Sequence, residues 1–164
     1  MRDMEQANAE AYAARHGQRL AERLGFGVHG TVYVVEHGGK EDRSAIKAHK
    51  EREFHERERA AYERLREAGV HEVLGFHVPQ LLNADGDLWV IEMTIVTRPC
   101  VLDFAGAYLD ARPEFSEEIW DDWEAQKREQ FGERWVEVQK VLGALEEWGI
   151  YMVDVSPSNV RCGV

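Results

Sequence analysis

The sequence predicts an α+β fold, an antiparallel sheet followed by a mainly helical part. Three observations predict it. Residues 24–49 read as β-branched and aromatic strand segments punctuated by glycines. Leu81-Leu82 and Leu88-Trp89-Val90-Ile91 form a second strand pair around a turn with an Asp85-Gly86 step. Beyond residue 99 the pattern turns helical, and Phe131, Trp135, Val138, Leu142 and Leu145 recur at steps of four and three.

The elements follow in order. Residues 4–23 are rich in Ala, Glu, Gln and Arg and contain no Pro. They predict a polar helix with a thin apolar face of Ala9, Tyr12, Ala13 and Leu20. The strands of residues 24–49 turn at Gly38-Gly39. A charged helix is expected over 51–68, ended by Gly69 and by the Gly75–Pro79 stretch. Residues 101–111 read as helical, stopped by Arg112-Pro113. Ser116 with acidic residues behind it opens a helix over 116–130, and another covers 131–148. The expected division is an N-terminal helix (1–23), a sheet-bearing lobe (24–98) and a helical lobe (99–164).

Composition limits the function classes. The 164 residues suffice for one domain with a real core, or for two small lobes. Net charge is −11, from 31 acidic and 20 basic residues, which repels phosphate backbones at long range and argues against a nucleic-acid partner. No apolar run approaches the roughly 20 residues that cross a bilayer, so no membrane partner is expected. Two isolated cysteines, Cys100 and Cys162, and a start without a signal-type apolar region predict a cytoplasmic protein.

The most informative stretch is Leu24-Gly25-Phe26-Gly27-Val28-His29-Gly30-Thr31-Val32-Tyr33. Its glycines let backbone N–H groups approach a phosphate with no Cβ in the way. A dinucleotide fingerprint needs a helix after the glycines. Thr31-Val32-Tyr33-Val34-Val35 is a strand instead, so an oxidoreductase of that kind is set aside. Lys47 follows on the returning strand 44–48, sharing a face with Ala45, a small residue suited to packing a flat base. On the charged helix the apolar stripe is Phe54, Ala61/Tyr62 and Leu65. Glu58, four after Phe54 and four before Tyr62, lies on it. An inward carboxylate needs a cation, and Lys47 is the nearest candidate. Asp154-Val155-Ser156-Pro157-Ser158-Asn159 follows the last long helix and a Gly149-Ile150 step. The bland readings stay open: a surface lysine, a solvated charged face, an irregular glycine turn, and a plain Ser-Pro-Ser-Asn turn.

Glycine hairpin, strand lysine, helix glutamate and D-x-x-P-x-N, in this order over residues 20–160, resemble the protein-kinase-like superfamily. The resemblance implies a two-lobed fold binding ATP and Mg2+ between its lobes. It implies that Gly25, Gly27 and Gly30 cover the phosphates and that Val32 roofs the base. Lys47, held by Glu58, would meet the α/β-phosphates. Backbone groups of Glu92 and Thr94 would bond adenine, with Ile91 behind it. Asp154 would take the proton of an acceptor hydroxyl, on a protein or a small molecule, and Asn159 would bind the metal. Three departures stand against full activity. Met152-Val153 replace the usual His and Arg, Ser156 stands where a lysine is common, and no Asp-Phe-Gly follows Asn159. A non-catalytic pseudokinase acting as an interaction module therefore remains the alternative. Trp120, Trp123 and Trp135 are either its partner face or helix core, and a homodimer is left open.

Overall fold

The computed structural model describes residues 3–96, 100–158 and 160–162. In chain order the first elements are α1 (Met4–Arg15), β1 (Arg19–Phe26), β2 (Gly30–Glu36), β3 (Arg43–His49), α2 (Arg52–Glu67), β4 (Glu72–Val73) and β5 (Phe76–His77). There follow β6 (Leu81–Asp85), β7 (Val90–Met93), β8 (Cys100–Leu102), β9 (Tyr108–Leu109), α3 (Glu117–Phe131), α4 (Trp135–Glu146), β10 (Ile150–Tyr151) and β11 (Val160–Cys162). The architecture is α+β.

A five-stranded sheet of order β1-β2-β3-β7-β6 carries the first half. Every neighbouring pair in it is antiparallel. The glycine hairpin is the β1–β2 connection, and Lys47 sits centrally on β3, opposite Val32 on one side and Ile91 on the other. One sheet face is covered by α1, whose Ala9, Tyr12 and Ala13 pack with Tyr33, Val35, Ile46, Ala48 and Val90. The other face carries α2, whose Ala61, Tyr62 and Leu65 join Ala45, Ile91 and Met93 in the larger core. That core continues into Phe131, Trp135, Val138, Val141 and Leu145 of α3 and α4. A single apolar body thus links the sheet to the helices behind it.

Three expected elements differ from those observed. The first helix ends at Arg15 rather than at residue 23. Gly17 takes φ +65, and the Gln18 N–H returns to the Ala13 carbonyl at 2.8 Å. This left-handed stop is the usual way a glycine ends a helix. Leu20, expected on the helix face, packs from β1 instead. Residues 101–111 are not helical: β8 pairs with β11 and β5, and β9 pairs with β10. Strand partners distant in sequence override local propensity there. The period over 131–148 is shared by two helices joined through the single 3-10 turn Gly132–Arg134, with Phe131 closing the first and stacking on Trp135 of the second. By contrast α2 spans nearly the expected residues, and Ser116 caps α3 by accepting from the Ile119 N–H.

No described helix is long and apolar enough to cross a membrane.

Candidate functional site

The hairpin between β1 and β2 is held by its own backbone. The Gly27 N–H donates to the Gly30 carbonyl at 2.9 Å, and Lys50 reaches back to the Gly27 carbonyl at 2.8 Å. Gly30 is required by a neighbour: a Cβ there would stand 2.3 Å from the Ala48 carbonyl oxygen of β3. Gly25 and Gly27 are different, because a Cβ at either would meet nothing within 4 Å. Side chains at those two positions would fill space that the hairpin leaves open beside the chain.

That space belongs to a cavity of about 360 Å³. Gly25, Gly27, Gly30 and Val32 wall it on the hairpin side, with Lys47 at its sheet end and Asp154, Ser156 and Ser158 opposite. Lys47 is 4 % exposed, and Glu58 on α2 is 1 % exposed. The Lys47 Nζ donates to both Glu58 oxygens, at 2.9 and 2.8 Å. Burial works against the Lys47 charge, but Asp103 and Glu58 beside it outweigh burial and raise its pKa above the usual lysine value. Burial likewise opposes the Glu58 carboxylate, yet Lys47 and then His49 hold it well below the ordinary range.

Two members of this cluster were not selected from the sequence. His49 stands two residues after Lys47 on β3, so strand alternation brings both to the same face. Its Nε2 lies 2.9 Å from Glu58 Oε2, and its Nδ1 lies 3.0 Å from the Trp89 carbonyl. Alternation was the signal that would have found it. Asp103, in the loop after β8, lies 3.4 Å from Lys47 Nζ and accepts the Ala105 N–H at 3.0 Å. Partial desolvation beside Lys47, on a side chain that is still 41 % exposed, and secondarily the neighbouring Glu58 charge, raise its pKa although Lys47 pulls the other way. The expected helix over 101–111 hid this residue, because its place depends on the pairing of β8.

Opposite, His29 at the hairpin tip reaches across the cavity to Asp154, with Nε2 2.7 Å from Oδ2. Its ring meets Phe54 of α2 edge-on, with centroids 4.4 Å apart. Gly106, at φ +72, backs the pair: a Cβ there would lie 3.1 Å from the Asp154 Cβ and 3.2 Å from His29 Nε2. The residue before Asp154 is fixed from α3, where the Trp123 indole donates to the Val153 carbonyl at 2.9 Å. Trp135 is buried and Trp123 half-buried, so these two indoles serve largely as core.

Other expected residues lie elsewhere. Ala45 is in the core on the α2 face, beside Lys47 in alternation. The Glu92 backbone sits inside the sheet, opposite Ile46 on one side and Asn83 on the other. Its side chain is bound by Tyr12, Gln18 and Ser44 on the α1 face. The Thr94 N–H already donates to the Gln80 carbonyl at 2.9 Å, and its hydroxyl accepts the Gln80 N–H at 2.9 Å. Neither Glu92 nor Thr94 lines the cavity that holds Lys47. Asn159 lies outside the described residues. Among the described residues no group of three His, Cys, Asp or Glu side chains could hold a metal ion. Asp103 and Asp154 line one cavity, but by themselves they make no magnesium site.

Compared with protein-family models, curated proteins and solved structures, the chain matches none.

Proposed function

We propose that the chain is a kinase-like protein that binds ATP in the cavity between the glycine hairpin and the Asp154 segment. The observation that carries this reading is the Lys47–Glu58 pair at the end of that cavity. A buried ammonium whose carboxylate partner is itself clamped by a second basic group offers a fixed positive charge facing an open space. Its volume of about 360 Å³ falls within the range of ligand pockets, roughly 300–1,000 Å³. Open backbone at Gly25 and Gly27 leaves room for phosphates against the hairpin.

In this reading Lys47 binds the triphosphate, and Glu58 with His49 keeps it in place. Asp154 orients the acceptor hydroxyl and takes its proton as the oxygen bonds to the γ-phosphorus. The bond from that phosphorus to the bridging oxygen breaks, and ADP leaves with the electron pair. His29, already bonded to Asp154, must shift for the hydroxyl to reach the carboxylate. Mg2+ belongs to the proposal through the nucleotide, and no step here is assigned to it. The non-catalytic alternative draws on one feature: Asp103 and Glu58 together put two carboxylates on Lys47, so its charge is spoken for before any nucleotide arrives.

Thermal unfolding with Mg-ATP tests binding. Nucleotide at 100 times its Kd should add about 2.7 kcal/mol of stability, and Lys47→Met should abolish the gain. No shift in the wild-type protein ends the reading. If binding holds, Asp154→Ala should lower phosphoryl transfer by on the order of 10²–10⁴. Wild-type protein that binds but transfers nothing to any hydroxyl or water establishes the non-catalytic alternative.

A further inference from the structure

A second cavity, of about 400 Å³, lies on the other side of the His29–Asp154 contact. Val28, His29 and Asp154 line both spaces, so the histidine–carboxylate pair is the wall between them. The outer cavity adds Phe54 and Arg57 from α2 and Tyr108 from β9. Two polar atoms of its lining residues, Arg57 Nε and His29 Nδ1, are buried without a hydrogen-bond partner. Leaving a buried donor unpaired is costly, so native structures seldom tolerate one that nothing ever occupies.

Arg57 is built to be presented. Its guanidinium carbon lies 4.5 Å from the Tyr108 ring centroid and 5.6 Å from that of Phe54. The rings flatten and orient the group without using its N–H bonds. Among the described residues its ion-pair neighbour is Glu53, with Oε1 3.8 Å from Nε, beyond hydrogen-bond reach, on a side chain 74 % exposed. A planar cation lying against aromatic faces, on a side chain 20 % exposed at the cavity wall, has the shape to pair with an oxyanion that enters there.

We infer that the outer cavity receives the phosphoryl acceptor, and that this acceptor is a hydroxyl compound carrying an oxyanion, carboxylate or phosphate, which Arg57 grips. The inference rests on the kinase-like reading, since it takes Asp154 as the meeting point of the two cavities. With the donor on the Lys47 side and the oxyanion on Arg57, the acceptor hydroxyl is delivered to Asp154 as His29 withdraws. The protein's charge of −11 repels anions at a distance. Arg57 supplies the local positive charge that offsets this field at the cavity wall.

Arg57 Nε–H gives its own nitrogen-15 NMR signal, which makes the test direct. Inorganic phosphate and, separately, lactate are titrated into the intact protein, with Mg-ATP titrated in a parallel sample. The Arg57 Nε–H resonance should move on saturation with at least one anion, and the anion that moves it tells phosphate from carboxylate recognition. Arg57→Gln should weaken that anion at least tenfold. Glu53→Gln, which removes the competing carboxylate, should tighten it severalfold, a gain that misfolding cannot produce. If Mg-ATP binds while neither anion moves the resonance, or Glu53→Gln brings no gain, the inference falls and the kinase-like reading survives. If an anion binds at Arg57 and Mg-ATP does not bind at all, both fall.

Discussion

Two glutamates, Glu58 and Glu92, are buried on opposite faces of the same sheet, and they are held in different ways. Glu58 is 1 % exposed and Glu92 3 %. Glu58 faces two basic side chains, Lys47 and His49. Glu92 is held by the neutral donors Tyr12, Gln18 and Ser44, with His37 at 3.1 Å. Tyr12 donates at 2.7 Å, and Gln18 spans both carboxylate oxygens at 3.1 and 3.2 Å. One arrangement ends at an open cavity and the other lies sealed beneath α1. Burial of a carboxylate is therefore no mark of function by itself. What distinguishes Glu58 is that its cation also faces space that a ligand can enter.

The largest effect is expected at Glu58. Glu58→Ala leaves Lys47 and His49 buried without their shared carboxylate. Removing one partner of a buried ion pair costs about 3–5 kcal/mol. Asp103 remains 3.4 Å from Lys47, which places the expected loss at the lower end of that range. Chemical denaturation measures it. The same variant should lose the stabilisation by Mg-ATP, whereas a Glu92 variant should keep it. If both variants abolish the nucleotide effect, the distinction between the two faces is wrong.

Glu92→Gln comes next. Hydrogen bonds to a charged group contribute about 1.5–3 kcal/mol, and glutamine offers these donors only one uncharged acceptor. Acid sharpens the point. Burial opposes ionisation of Glu92, but Ser44, Tyr12 and Gln18 outweigh it and hold its pKa below the usual 4.5. A carboxyl lowered by folding contributes stability that is complete above pH 4.5 and is lost as pH falls through the folded-state value. The same sign applies to Glu58, whose pKa is also lowered. Acid denaturation of Glu92→Gln should therefore keep the parts of the acid slope that Glu58 and Asp85 supply and lose only the part due to Glu92. An acid slope identical to that of the wild type would show that folding does not lower the Glu92 pKa.

These two glutamates also mark how far the sequence could be read. Glu58 was legible because a helix face is periodic, and Phe54, Tyr62 and Leu65 define which side is inward. Lys47 and the glycine hairpin were legible because strand alternation and glycine spacing are local properties. Glu92 was placed in a strand, but the role of its side chain was hidden. It depends on Tyr12 and Gln18, and the expected helix ran through the place where the chain turns at Gly17. Asp103 and the outer cavity were hidden for a related reason. Their positions follow from β8 and β9 finding partners far along the chain, at β11 and β10. Pairing over that distance leaves little trace in a local pattern. His29 lies inside the glycine motif, yet nothing in its spacing shows that its ring crosses to Asp154.

The smallest effect is expected at Gln18, and it is the most diagnostic of a shared charge. Gln18→Ala deletes two long hydrogen bonds to Glu92 and leaves Tyr12, Ser44 and His37 in place. An average hydrogen bond contributes about 0.5–1.5 kcal/mol. The Gln18 side-chain carbonyl oxygen is itself buried without a partner, so removing it also relieves an unmet acceptor. These two terms oppose each other, and the net loss should be about 0.5 kcal/mol or less. A charge divided among several donors tolerates the loss of one. The Glu58 charge, resting on Lys47 and His49 rather than on several neutral donors, should not. A loss at Gln18 as large as that at Glu58 would show that the Glu92 charge hangs on that one donor.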